Sequence, residues 1–200
     1  MLNIIKADFG ISKKNIIFIL IYYLIFTGLF SDCTFVVMLI GISVYMLIFG
    51  LIFAEERDNI SMLHRTLPVS EKAIIGAKYI ESILIIFVSL GFVQVTRYGF
   101  MQFMPNYTPV DAQNMFIAVI TSALLSAVFI PVVYKFGIEK SRYIVIICWL
   151  GVSAAVSPLM YISGDRPAAS SIILIICTVL SLLALIPSWM ISVKIYKNAI

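Results

Sequence analysis

Charge is what this 200-residue chain has least of: Asp, Glu, Lys and Arg make up 12% of it, and there is one histidine. Soluble proteins carry about a quarter charged residues. Cys33–Phe53 and Ser82–Thr96 contain no charged side chain at all. With 62% hydrophobic residues and a mean hydropathy of +1.09, the shortage excludes a large soluble domain. A helix crossing roughly 30 Å of hydrocarbon needs about 20 apolar residues. The length therefore accommodates about six spans joined by short connections.

Other absences remove whole classes of chemistry. No G-x-x-x-x-G-K-[ST] occurs, so the chain has no P-loop for ATP. Cys33, Cys148 and Cys177 show no CxxC and no ligand spacing, and they read as packing thiols. His64 has no second histidine with which to build a metal site. Gly41-Ile42-Ser43 has the GxS of a rhomboid-type serine protease but lacks the histidine it would need. Glu55-Glu56-Arg57 resembles the EExxxR of prenyl-protein proteases, yet Ile60 stands where the arginine belongs. No Asp, Glu, Lys, Arg or His falls near the middle of a predicted span, which disfavours a proton- or sodium-driven carrier. No TVGYG-like filter is present either. Gln94 and Thr96 are polar side chains able to line a path.

What is present is a series of long apolar runs. They predict an all-α polytopic membrane protein with six spans, at about 15–30, 34–53, 79–98, 114–134, 143–162 and 170–193. Met1–Lys14 reads as a weak amphipathic elbow at the interface; no small-residue cleavage site follows to make it a signal peptide. Arg97 is placed to snorkel to the headgroups from the end of the third span. Gly99–Gln113, with Pro105 and Pro109, reads as a compact loop, and Lys135–Arg142 as a charged turn in which Gly137 can end a helix. Pro158 and Pro187 mark breaks or ordinary kinks. Ser122/Ser126, Ala123/Ala127 and Gly151/Ala155 give small-xxx-small spacing, more often a sign of packing within a bundle than of a dimer seam.

Basic residues set the orientation. Of the 14 Lys and Arg, only Arg97 and Arg166 fall on the side opposite the N-terminus. The positive-inside rule therefore places both termini in the cytoplasm, together with the charge-dense connection Ala54–Glu81. That connection is expected to lie in water. Ile60, Leu63 and Leu67 form one stripe of a short amphipathic helix that Asp58 or Asn59 can cap and Pro68 stops. Ser70 can cap a second helix with Glu71 in its first turn. Such a helix suits either a headgroup surface or a groove on a soluble protein. The acidic cluster Glu55, Glu56 and Asp58 favours the protein, since acidic groups gain nothing from an anionic leaflet.

The acidic island, the corner Leu67-Pro68-Val69-Ser70, the run Ala77-Lys78-Tyr79 and the turn Lys135-Phe136-Gly137 to Ser141-Arg142-Tyr143 together resemble the small permease subunits of type-two ABC exporters. The resemblance covers nearly the whole chain, although Glu71 stands where members usually carry a basic residue. It implies that the connection after the second span is a coupling helix seated in a separate ATPase. Glu55, Glu56, Arg57, Asp58, Ile60, Leu63, Arg65 and Leu67 would make that contact. It further implies ATP and Mg²⁺ on the partner, no cofactor or catalytic residue in this chain, two ATPase copies and a second permease copy, identical or related. The expected setting is a bacterial plasma membrane, with a lipophilic or amphipathic cargo such as a membrane-active peptide or drug, and no nucleic acid. A membrane sensor or scaffold docking a soluble partner, and an ion channel, are the competing classes.

Overall fold

The structure is a computed structural model and describes residues 13–30, 33–57, 70–104, 107–165 and 167–198. Its helices are α1 (Lys13–Leu29), α2 (Cys33–Arg57), α3 (Glu71–Met101), α4 (Ala112–Asp165), α5 (Pro167–Leu183) and α6 (Leu185–Asn198). No strand occurs among the described residues. Helix is the form in which an apolar run satisfies its own backbone without water. By length and composition Lys72–Met101, Ala112–Gly137 and Ile172–Lys197 are each able to cross a membrane, and Ile16–Leu29 and Leu39–Phe53 are shorter apolar helices. The elbow expected over 1–14 falls almost wholly outside the described residues.

The interruptions follow the residues that dictate them. Pro187 brings no N–H to the carbonyl of Leu183, and the helix parts at Ala184, between α5 and α6. At Pro158, by contrast, the helix runs on. The charged turn expected over 135–142 shrinks to one residue: within α4 the non-helical backbone is Gly137, at φ 74° and ψ 172°. That conformation is essentially reserved for glycine. Leu125 before it and Ile146 after it line one groove, so the two arms of α4 double back on each other.

At the centre lies α3, which touches α1, α2, α4 and α6. Ile75 and Ile86 of α3 pack with Ile40 and Ile48 of α2 and with Ile117, Phe129 and Ile130 of α4. Against α1 the approach is close enough that a Cβ on Gly28 would meet the Phe100 ring at 3.0 Å. Ser122, Ala123 and Ser126 are buried, so the small residues of the first α4 arm are bundle contacts, as their spacing suggested. Gly151 differs, with open space around it. The outside is as apolar as the inside: Phe18, Ile21 and Leu24 on α1 and Ile172, Ile176 and Leu180 on α5 are exposed. A soluble monomer does not present faces of that kind.

Candidate functional site

Towards each end of α3 charged side chains are buried inside the protein: Lys78 and Glu81 at one, Arg97 at the other. Ser70 takes the N-cap position with extended backbone, and its carbonyl accepts from the N–H groups of Ala73 and Ile74. Its hydroxyl makes no capping bond. From Ile74 to Tyr79 every residue is buried. Lys78 and Glu81, one turn apart, form an ion pair at 3.6 Å. This corrects the expectation that the connection Ala54–Glu81 lies in water to its end. The helix begins eight residues before the predicted third span, and along its length it packs against α2, α4 and α6.

At the far end the expected snorkelling of Arg97 is also corrected. The side chain is fully buried, Nε donates to the Thr108 carbonyl at 2.7 Å, and the guanidinium lies 5.7 Å from the Tyr107 ring centroid. The loop ahead of α4 supplies oxygen ligands at closer range than the headgroups. Gln94 Oε1 accepts from the Val110 N–H at 3.1 Å. The Tyr107 hydroxyl donates to the Gly28 carbonyl at 2.5 Å, completing an acceptor in the last turn of α1 that has no helical partner. Thr96 Oγ1 donates to carbonyls of its own helix, at Phe92 and Val93. Lys78 and Arg97 are 19 residues apart along α3, about 28 Å at the helical rise. That is close to the hydrocarbon thickness of roughly 30 Å.

Of the residues predicted to contact a partner, Glu55, Glu56 and Arg57 sit in the last turn of α2. Asp58, Ile60, Leu63, Arg65 and Leu67 lie outside the described residues, as does the Pro68 corner. Gln94 and Thr96 are both half-buried near the loop end of α3.

A second polar group was not foreseen from the sequence. The Tyr79 hydroxyl lies 2.7 Å from Ser188 Oγ and 2.8 Å from Ser192 Oγ, and Ser188 Oγ donates to the Ala127 carbonyl at 2.5 Å. This links α3, α4 and α6. The clue was present in Pro131, four residues after Ala127, and in a serine directly after Pro187. Between α2 and both arms of α4 runs a wholly apolar groove of about 260 Å³, lined by Ile42, Tyr45, Met46, Leu125, Ile146 and Trp149.

Residues 3–197 match the family described as ABC-2 family transporter protein. The chain belongs to that family. The resemblance carried by the Leu67–Ser70 corner and the Ala77–Tyr79 run is thereby confirmed at family level. Comparison with curated proteins and with solved structures finds no match. As an ABC-2 family member this is a multi-pass membrane protein, and membership implies an ABC ATPase as partner and lipid around the helices. The family component is in general not itself an enzyme.

Proposed function

We propose that the chain is the membrane-spanning permease subunit of an ATP-driven exporter in a bacterial plasma membrane. It crosses the bilayer six times, with both termini in the cytoplasm. Membership of the ABC-2 family over residues 3–197 carries the proposal. The segment between α2 and α3 is the coupling helix, with Ile60, Leu63 and Leu67 in a groove of the ATPase and Glu55, Glu56, Arg57, Asp58 and Arg65 at its rim. ATP and Mg²⁺ belong to that partner, present in two copies beside two permease subunits. Closure of the ATPases draws the coupling segments together. In each permease that displacement enters the bundle through the first turns of α3.

A lipophilic or amphipathic cargo suits the interior. The groove at Tyr45 and Trp149 presents no polar lining, which favours hydrocarbon over a hydrated solute. Gln94 and Thr96 would supply polar contacts near one end of the path.

The test is purification from native membranes under mild detergent, followed by a vanadate-sensitive ATPase assay of the eluate. Wild type is expected to bring down an ABC ATPase. Leu63→Asp is expected to insert normally and lose it. Retention of the ATPase by Leu63→Asp would remove the coupling assignment, and no ATPase with wild type would favour a scaffold or sensor.

A further inference from the structure

Two prolines that each deprive a helix of a donor have been brought to the same place. Pro131 has no N–H, so the Ala127 carbonyl four residues earlier loses its helical partner inside α4. Pro187 does the same to Leu183, and the adjoining Ser188 N–H reaches the Ala184 carbonyl only at 3.4 Å. The side chain next to the second proline repairs the first: Ser188 Oγ donates to the Ala127 carbonyl.

That bond fixes the direction of the rest. A serine hydroxyl has one proton. Ser188 has spent it on Ala127, so the Tyr79 hydroxyl donates to Ser188. Tyr79 has then used its own, so Ser192 donates to Tyr79. The result is a one-way chain, Ser192 to Tyr79 to Ser188 to the Ala127 carbonyl, with all three side chains buried. Hydrogen bonds in such a chain polarise and strengthen one another. The first arm of α4 and α6 also meet where the rings of Tyr134 and Tyr196 stack edge-on at 5.5 Å.

We infer that this chain is a built joint. Ser188 is a positioning residue that pins α6 to the first arm of α4 beside the two prolines, and Tyr79 is the contact that attaches α3 to the pinned pair and releases it. The pinned pair moves as one body because the backbone carbonyl of one helix is completed by the other. Tyr79 lies two turns into α3 and its hydroxyl is held by side chains alone, so it can let go without leaving a backbone group exposed to hydrocarbon. The functional half of this inference rests on the permease proposal, in which displacement enters the bundle at the start of α3.

The experiment needs neither ATPase nor cargo and uses the full chain in nanodiscs. First, Ser188→Ala is expected to lower the Tm by roughly 3 °C or more. Pro131→Ala returns an N–H to Ala127, so in that background Ser188→Ala is expected to have a smaller effect, the remainder being the lost acceptor of the Tyr79 hydroxyl, and Ser188→Thr is expected to behave as wild type. Second, spin labels are placed at Ile80, Phe136 and Lys194, all exposed, in a background lacking Cys33, Cys148 and Cys177. Tyr79→Phe is expected to broaden the distance distribution between 80 and 194 while leaving that between 136 and 194 narrow. Ser188→Ala is expected to broaden the 136–194 distribution even with Pro131→Ala present, because the backbone is repaired and the tie is not. An undiminished Ser188→Ala effect in the Pro131→Ala background, or a Tyr79→Phe distribution identical to wild type, would overturn the joint. If the joint stands while Leu63→Asp keeps its ATPase, the loss falls on the permease proposal alone.

Discussion

The Lys78 ammonium stands 3.6 Å from the Glu81 carboxylate, one turn along α3, and both side chains are about 1% exposed. Removing two charges from water is expensive, and the pair attraction repays it only while both partners remain. Lys78→Met alone is therefore expected to destabilise by up to about 3–5 kcal/mol, by taking a counter-charge from a buried carboxylate. Lys78→Met with Glu81→Leu is expected to cost less than either change by itself. Thermal unfolding of the detergent-solubilised chain measures this. A double variant as damaged as the single ones would show that the two groups act through other neighbours.

Gly137 and Gly151 offer a matched pair on one helix. Gly137→Ala forces a Cβ into a conformation close to glycine-only, at a cost of about 1–3 kcal/mol. Gly151 has helical backbone with nothing within 4 Å of an added Cβ. Gly151→Ala is expected to be neutral or to stabilise by up to about 1 kcal/mol through helix propensity. Equal effects of the two substitutions on Tm would contradict the placement of the break at Gly137.

The loop ahead of α4 is strapped down by side chains. Gln94→Leu releases the Val110 N–H, and its hydrogen exchange is expected to quicken by about tenfold, the equivalent of one ordinary hydrogen bond. Tyr107→Phe frees the Gly28 carbonyl and is expected to speed exchange across the same loop while leaving the first turns of α3 protected. Exchange mass spectrometry in nanodiscs separates the two ends.

Sidedness is open to direct test. Ser70 and Phe103 are exposed and lie just before and just after α3. In a background without native cysteines, Phe103→Cys is expected to react with a membrane-impermeant maleimide on intact cells. Ser70→Cys is expected to react only after the membrane is opened. The reverse pattern would invert the proposed orientation.

Much of the helical pattern was legible because the apolar runs are long and the breakers few. Ser70 at the head of α3, Gly137 in the turn and the interruption near Pro187 were all readable from local backbone chemistry. What escaped was where polar side chains end up when helices pack. Arg97 looked like a residue bound for the headgroups because its partners, a loop carbonyl and the Tyr107 ring, are supplied from ten and more residues away. Lys78 and Glu81 looked like parts of a hydrated connection, since no local pattern reveals which face of a helix its neighbours will cover. The Tyr79–Ser188 contact spans 109 positions and is invisible to any window along the chain. A proline four residues after a small residue, with a serine beside a second proline, was its only local trace.

That separation bears on biogenesis. The Tyr79 hydroxyl is translated early, yet its acceptor and its donor both come from α6, more than a hundred residues later. Until then α3 must wait in the bilayer with an unsatisfied group, so a chain arrested before Ser188 offers lipid a polar mark by which unfinished copies can be told from finished ones.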